Sequence, residues 1–322
     1  MAAPAINYGQ AIHSQPIPSD AVWDVGTQVG ELTYVGGTKI EGGKPLFGGV
    51  SALRLDAAAK ELIALTDRGR FYRMALSEND AGILSGISVT EEGAFEGGLE
   101  PEALTRNPFG SGWIVGFEDG CGAYDCSQIH RYPSIKAGSG DLKTDQMRPY
   151  EGLAGRKFTN NRGLETLASL PADQDSPAML IMCGERQPQA GLPNCEVESS
   201  GGSQGFSVAP PANMHIASDG VPTDADTDSA GHLYVLFRGF SNDSSPKNGS
   251  AIVRLNMRAD DFANTAETIA MWGDTAALPS DNFEGLAIRE EEGRTFLYVI
   301  SDDNFDYWGP QDTLLLKFEI TG

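Results

Sequence analysis

Acidic residues recur at the ends of predicted strands in this chain, and their spacing is the clearest indication of chemistry. In Asn282–Ile288, Glu284 precedes an apolar run, and in Leu297–Phe305, Asp302 and Asp303 follow one. The charged, glycine-containing segment between the two runs is typical of a hairpin turn. Because the outer ends of an antiparallel hairpin lie at the same edge of the sheet, these acids are predicted to share one face of the fold.

Weaker copies of this unit occur earlier in the chain. Polar or acidic residues precede apolar runs at Ser51, Glu102, Glu165 and Asp224, so that the five openers are separated by 51, 63, 59 and 60 residues. Repeats of this size with several strands each are typical of propeller blades. The sequence therefore predicts an all-β fold, a single β-propeller with five motif-bearing blades, and it leaves a sixth blade open.

The two ends of the chain are predicted to complete one blade. The fourth repeat shows four strands, at Thr223–Asp228, Leu233–Arg238, Ala251–Asn256 and Thr268–Trp272. The fifth repeat shows only three, the last being Thr313–Ile320, and Glu31–Val35 could supply the fourth. Closing the ring in this way removes exposed sheet edges. We expect residues 1–322 to form one domain, with 1–20 as an extended N-terminal segment and Gln187–Gly205 as an irregular loop.

The strand-end acids of a closed ring would converge near its axis. Clusters of carboxylate and amide oxygens suit calcium, and the metal candidates are Asp224, Asp302, Asp303, Asn304, Glu284 and Glu165. Arginines at comparable positions could grip phosphate oxygens as planar forks. The candidates for a catalytic role are Glu284, Glu165, Glu102, Arg68, Arg186, Arg238 and His130, with Arg131 beside the histidine. The alternative is that these acids pair with the arginines and fix blade to blade.

Composition excludes several kinds of partner. The chain has 45 acidic and 23 basic side chains and a formal charge of −22, which argues against nucleic acid and anionic lipid as ligands. A solvated acidic surface would also account for this charge. No run of 18 apolar residues occurs, so no membrane span is predicted. We expect a monomer that acts on a small-molecule substrate.

The four cysteines indicate the compartment. They form two close pairs, Cys121 with Cys126 and Cys183 with Cys195, which predicts two local disulfides and an oxidising compartment. A zinc site and free thiols are the alternatives. The small residues of Met1–Ala5 look like the end of a removed signal sequence, so periplasmic or secreted localisation is expected.

The chain resembles the phytase-like family described as "esterase-like activity of phytase". The resemblance extends from about Phe47 to Phe318 and is carried by four motifs: Asn282–Ala287, Ser301–Phe305, Gln311–Phe318 and Gly163–Ala168. It implies a propeller that acts on a phosphoester or another ester. The two cysteine-containing segments depart from the family pattern. Two hypotheses follow: a calcium-dependent exported hydrolase, or a noncatalytic propeller that binds a metal, a small ligand or a protein partner.

Overall fold

The computed structural model describes residues 12–18, 20–42, 47–58, 60–97, 99–118, 120–121, 124–125, 127–138, 141–149, 163–185, 193–274, 279–306 and 311–322. These residues form strands joined by turns and three short 3-10 helices, Ala217–Asp219, Phe262–Thr265 and Asn304–Asp306. None of the helices in the described ranges is long and apolar enough to cross a membrane.

The described strands include five four-stranded antiparallel groups, which we number as blades in chain order, and one parallel bridge between Gly36 and Leu84 joins blades 1 and 5 into a single sheet. Blade 1 contains β4 (Val50–Asp56), β5 (Glu61–Thr66), β6 (Arg70–Glu78) and β7 (Leu84–Ala94); blade 2 contains β8 (Glu100–Arg106), β9 (Trp113–Glu118), β12 (Gln128–Tyr132) and β13 (Gln146–Pro149). Blade 3 contains β14 (Leu164–Leu170), β15 (Met179–Gly184), β16 (Cys195–Ser199) and β17 (Gly202–Phe206); blade 4 contains β18 (Val221–Thr227), β19 (His232–Phe240), β20 (Asn248–Asn256) and β21 (Glu267–Trp272). Blade 5 contains β22 (Asn282–Glu291), β23 (Arg294–Asp302), β24 (Thr313–Ile320) and β3 (Leu32–Gly42). The short strands β1 (Ile12–Gln15) and β2 (Gln28–Val29) pair with β3, and β10 (Gly120–Cys121) pairs with β11 (Tyr124–Asp125).

The ring closes as the sequence predicts. The N-terminal strand β3 pairs antiparallel with the C-terminal strand β24, from Thr313 opposite Ile40 to Ile320 opposite Leu32. The first strand of each blade contacts the first strands of both neighbouring blades, including β22 with β4. The described blades therefore form a complete five-membered ring, and a sixth blade has no place between them.

The repeats are confirmed in detail except in blade 3. The four strands predicted for the fourth repeat are β18 to β21. The prediction of an irregular loop over Gln187–Gly205 is wrong from Cys195 onward, because β16 and most of β17 occupy that part, and residues 187–192 lie outside the described residues. The outer strand of blade 3, Gly202–Phe206, is mostly exposed and pairs through its backbone, so its side chains carry no strand pattern.

The hydrophobic core lies between the blades, because both faces of a blade are covered by its neighbours. On β19, Leu233, Val235 and Phe237 pack into one cluster, while Tyr234 and Leu236 pack into the next. Alternate side chains of a strand point to opposite faces of its sheet. The strand therefore reads as a continuous apolar run, as is typical of a sheet buried on both faces.

A buried arginine fills the axis of the ring. Arg54 on β4 is 3% exposed, and its guanidinium donates two hydrogen bonds to Asp224, at 2.9 and 2.8 Å. It also donates to the carbonyl oxygens of Leu286 at 2.6 Å, of Leu167 and of Ala225. One side chain thus links the first strands of blades 1, 3, 4 and 5. A buried charge is tolerated when it is paired and hydrogen-bonded in this way.

We predict that Asp224→Ala lowers the free energy of unfolding by about 3–5 kcal/mol, because it leaves the Arg54 charge buried without its partner. Denaturant unfolding at pH 8 measures this change. The control is Asp145→Ala, which removes the partner of the half-exposed Arg131 and should change the unfolding free energy by less than about 1 kcal/mol. Equal effects of the two substitutions would contradict the axial role of the pair.

Candidate functional site: the acidic cavity

Each first strand carries a one-residue bulge near its beginning. The pairing with the second strand skips Ser51, Glu102, Glu165, Thr223 and Glu284 in blades 1 to 5. A bulge re-aims the side chain of the extra residue. The repeated openers of the sequence are therefore these bulges, with one correction. In blade 4 the equivalent residue is Thr223, and the predicted opener Asp224 is one residue too late, so its side chain meets Arg54 instead.

A second set of equivalent positions lies at or near the end of the second strand of each blade, which pairs with the bulged strand. On the second strand, one residue pairs with the residue just before the bulge. The residue that follows it in the chain is an acid in blades 1, 2, 3 and 5 and an arginine in blade 4. These residues are Asp67, Glu118, Glu185, Arg238 and Asp302 in blades 1 to 5. The pseudo-fivefold arrangement of the strands brings both sets to the same end of the ring.

Nine of these ten residues line one cavity at the axis, which we call the acidic cavity. Its volume is about 240 Å3. It is lined by Gly49, Ser51, Asp67, Glu100, Glu102, Glu118, Glu165, Glu185, Arg238, Glu284, Asp302 and Asn304. Eight of these lining residues are acidic and one is basic, so the cavity is strongly negative unless protons or cations neutralise it.

A second cavity of about 550 Å3 lies at the other end of the first strands, where Arg54 lines its wall. Its acids have protein partners. Asp226 accepts hydrogen bonds from the backbone of Thr227 and Ile288, both at 2.9 Å, and Glu290 accepts from Ser229. The charges of this second cavity thus serve to fasten the strands, and we take the acidic cavity as the candidate site.

Arg238 and Glu284 form the ion pair of the acidic cavity. Nη2 of Arg238 lies 3.2 Å from Oε1 of Glu284. Nδ2 of Asn282 donates to the same oxygen at 2.7 Å. The hydroxyls of the two neutral bulge residues are bonded to the backbone: Ser51 donates to the carbonyl oxygen of Pro101, and Thr223 donates to that of Phe283 at 3.2 Å.

Burial and mutual repulsion raise the pKa values of the cavity acids. Burial raises the pKa of Glu102 and Glu165 well above the usual range, and repulsion from neighbouring carboxylates raises it further. Burial also raises the pKa of Glu284, but Arg238 and Asn282 oppose it. The carboxyl of Asp302 has a raised pKa because of burial and then of Glu284. Although the cavity is open, protein atoms surround these groups on most sides, so their ionised forms are poorly solvated.

The cavity supplies oxygen ligands of the kind that a divalent cation binds, but their side chains are not arranged around a single ion position. The acidic side chains that line the cavity offer carboxylate oxygens, which calcium prefers as ligands. Oδ1 of Asp67 is buried without a hydrogen-bond partner among the described residues. Within the same ranges, however, no group of three or more Asp, Glu, His or Cys is arranged to hold a metal ion. A calcium ion in this arrangement would need movement of these side chains, or most of its ligands from substrate and water.

The acidic cavity contains six of the predicted site residues, and the others that the structure describes lie elsewhere. Those that line it are Glu102, Glu165, Glu284, Arg238, Asp302 and Asn304. Asp303 accepts hydrogen bonds from the backbone of Gly49 and Phe305, at 3.3 and 3.0 Å, and so fastens the rim. Arg68 is exposed, and its guanidinium lies 3.3 Å from the ring centroid of Phe305.

The remaining predicted residues do not contribute to the cavity where the structure describes them. His130 is buried, with Nε2 2.9 Å from Oε1 of Gln128 and its ring 4.7 Å from that of Phe117. Burial lowers the pKa of His130, which favours the neutral ring. Arg131, on the third strand of blade 2, donates two hydrogen bonds to Asp145. Arg186 lies outside the described residues.

Five lining residues were not among the predicted site residues, although Ser51 was identified as the opener of the first repeat. They are Ser51, Asp67, Glu100, Glu118 and Glu185. Asp67, Glu118 and Glu185 share a signal, since each follows the apolar run of a second strand. Gly49 has a φ of +63°, and a Cβ there would lie 2.2 Å from Oδ1 of Asp67. Only glycine lets the backbone approach this carboxylate so closely.

One predicted disulfide is confirmed. Cys183 on β15 and Cys195 on β16 are buried and form a disulfide bond. Cys183 lies two residues before Glu185. The bond fixes the strand that carries this cavity acid. The predicted Cys121–Cys126 bond falls outside the described residues, because Cys126 and the side chain of Cys121 are not described.

We predict that Asp67→Asn stabilises the metal-free protein at pH 8. Burial, opposed by Arg68 and reinforced by Glu284, raises the pKa of Asp67 from 3.8 to about 7. Between these values the folded protein holds more protons than the unfolded chain, so the unfolding free energy falls as the pH rises. The substitution should add about 1–3 kcal/mol at pH 8, since a tenfold change in proton affinity is worth about 1.4 kcal/mol and cavity water screens part of it.

Denaturant unfolding between pH 4 and pH 8 in chelator measures this effect. Across this pH range, the unfolding free energy of Asp67→Asn should fall less than that of the wild type. The control is Asp243→Asn, which changes an exposed residue outside the cavity and should leave the pH profile as it is in the wild type. An unchanged profile in Asp67→Asn would show that this carboxyl is not held in an unfavourable environment.

Solved structures of low sequence identity resemble this chain in outline. The major allergen Mala s 1 of Malassezia sympodialis has 12% identity over 84% of this chain and 92% of that chain, with a TM-score of 0.45. A GH43 endo-arabinanase from Bacillus licheniformis has 11% identity over 84% and 94%, with a TM-score of 0.44. A GH43 β-xylosidase/α-arabinofuranosidase from a compost microbial metagenome has 8% identity over 91% and 94%, with a TM-score of 0.47. The strand pairing described above, and not these similarities, establishes the propeller.

Comparison with curated protein sequences finds no significant match. A family model does match, over residues 45–305, which is most of the chain and includes the cavity-lining residues. This agrees with the resemblance noted from the sequence motifs. The chain belongs to the phytase-like family described as "esterase-like activity of phytase".

Proposed function

We propose that this protein is a calcium-dependent hydrolase of a phosphoester or another ester, with the acidic cavity as its active site. The observation that carries the proposal is the convergence of eight acids and one arginine in one cavity at the propeller axis. Membership of the phytase-like family supports the same class of reaction.

The acids differ in the ease with which they hold a proton, and this difference suggests their roles. Glu165 and Glu102 have the more strongly raised pKa values and suit the role of general acid. Glu284 is paired with Arg238, which favours its ionised form and suits the role of general base. Carboxylates whose environments push their pKa values apart commonly divide the work in this way.

The proposed reaction is a hydrolysis in which the protein moves two protons. Glu284 takes a proton from the attacking water as the water oxygen bonds to the ester phosphorus or carbonyl carbon. Glu165 or Glu102 gives a proton to the departing oxygen as the ester bond breaks. These transfers are general acid–base catalysis.

Calcium would neutralise the cavity and polarise the substrate oxygen when bound. Of the predicted ligands that line the cavity, Asp302 and Asn304 would hold it while Glu165 and Glu284 move protons, and Asp67 adds a carboxylate oxygen that has no partner among the described residues. A phosphoester would otherwise meet the repulsion of the surrounding carboxylates. We therefore expect that calcium is needed most for anionic substrates.

We further propose that the protein works in the periplasm or outside the cell, as a monomer and without nucleic acid as a partner. The Cys183–Cys195 disulfide supports an oxidising compartment.

The second candidate function is noncatalytic binding of a metal, a small ligand or a protein partner. It is favoured by one observation: no histidine or cysteine is among the described lining residues, and the hydroxyl of Ser51 is bonded to Pro101. No nucleophile paired with a base can be identified there. Calcium binding without turnover would favour this candidate.

We predict turnover of at least one member of a panel of phosphomonoesters, phosphodiesters and carboxylesters in the presence of calcium, with loss of activity in chelator. Glu165→Gln and Glu284→Gln should each lower kcat by about 100-fold or more, because each removes a proton-transfer group. Glu267→Gln, an exposed change on β21, is the control and should keep the wild-type rate. The hydrolase proposal fails if no substrate is turned over, or if both cavity variants keep full kcat.

A further inference from the structure

Blade 4 differs from the other four blades in the acidic cavity. Blades 2, 3 and 5 contribute an acid at both equivalent positions, and blade 1 contributes Asp67 beside Ser51. Blade 4 has Thr223 and Arg238 at these positions, so it contributes no carboxylate. Among the described residues that line the cavity, Arg238 is also the only basic one.

The sequence of blade 4 contains acids, but the fold directs them elsewhere. The hydroxyl of Thr223 donates to the backbone of Phe283, and both carboxylate oxygens of Asp224 bind Arg54. The side of the cavity formed by blade 4 is therefore positive in a cavity that is otherwise negative.

One N–H group of Arg238 has no acceptor among the described residues. Its Nη2 contacts Glu284, but its Nε is buried and has no acceptor among the described residues. A guanidinium presents its N–H groups in a fixed fork that matches the oxygens of phosphate or carboxylate. A buried donor without an acceptor is unfavourable. The Arg238 side chain is 22% exposed and lines the cavity, so a ligand oxygen there can reach the guanidinium.

We infer that Arg238 is the specificity-determining residue of the site and binds a single oxyanion group of the substrate, a phosphate or a carboxylate. This inference rests on the proposed function, since it names the substrate class of the same cavity. The neighbouring blades 3 and 5 place Glu165 and Glu284 on either side of Arg238. An ester bond adjacent to the bound oxyanion lies between these two groups.

The charge of the cavity limits the substrate to one such group. Eight acidic residues line the cavity with Arg238, so a second anionic group would meet carboxylates and no further arginine in the described lining. In the absence of calcium, the protein should therefore bind esters with one anionic group more tightly than polyanionic esters.

The test is calorimetric titration of the full chain with inorganic phosphate and, separately, with acetate, in the presence and absence of calcium. Arg238→Gln should weaken oxyanion binding by about 10- to 100-fold, the range for hydrogen bonds to charged groups. Arg238→Lys should weaken it less, because it keeps the charge and loses the fork. The matched control is Arg254→Gln, which removes an arginine of similar exposure from blade 4 outside the cavity and should bind as the wild type does.

The two ligands distinguish the source of the oxyanion: tighter binding of phosphate indicates a phosphoester, and tighter binding of acetate indicates an ester that carries a carboxylate. The inference is overturned if the wild type binds neither ligand, or if Arg238→Gln and Arg238→Lys bind both as tightly as the wild type. Oxyanion binding through Arg238 without hydrolysis of any ester would remove the proposed function and leave this inference intact. Hydrolysis with unchanged oxyanion binding in the Arg238 variants would do the reverse.

Discussion

The hydrogen-bonded ion pair between Arg54 and Asp224 at the axis is the interaction on which the rest of this structure depends. A ring of five first strands leaves backbone groups and carboxylates facing one another where no solvent can balance them. Arg54 satisfies carbonyl oxygens of three other blades, and Asp224 accepts from Leu53 and Leu286 as well. The pair therefore fixes the spacing of the first strands around the axis.

Closure at the outside of the ring complements this axial pair. Lys317 on β24 is 1% exposed, and its Nζ binds Glu78 of blade 1 at 2.7 Å and the carbonyl oxygen of Gly82 at 2.8 Å. Arg289 of blade 5 binds the same carboxylate at 3.2 Å. The last blade is thus joined to the first by ion pairs at the outside, and at the axis by the hydrogen bond from Arg54 to the carbonyl oxygen of Leu286. Between these two fastenings, the cavity can hold repelling carboxylates that would destabilise a looser fold.

Much of the fold could be predicted from the sequence, because apolar runs rich in β-branched and aromatic residues recur along the chain at similar intervals. The N-terminal closing strand was also predictable, since the fifth repeat lacks a strand. The bulges were not, because a bulge changes pairing without changing composition. For this reason Asp224 looked equivalent to Glu284, and the importance of Arg54 was hidden. Glu118 and Glu185 were visible as strand ends, but only the register shows that they face the same cavity as the openers.

The proposed role of the acidic cavity is to bind calcium and hydrolyse an ester. Calcium titration by calorimetry, with ester turnover measured on the same samples, tests this role in the wild type and in the variant Glu102→Gln/Glu165→Gln/Glu284→Gln. We expect saturable calcium binding and turnover in the wild type, and loss of turnover with weakened calcium binding in the triple variant while the fold is retained. Turnover that survives in the triple variant, or a wild type that neither binds calcium nor hydrolyses an ester, would contradict it.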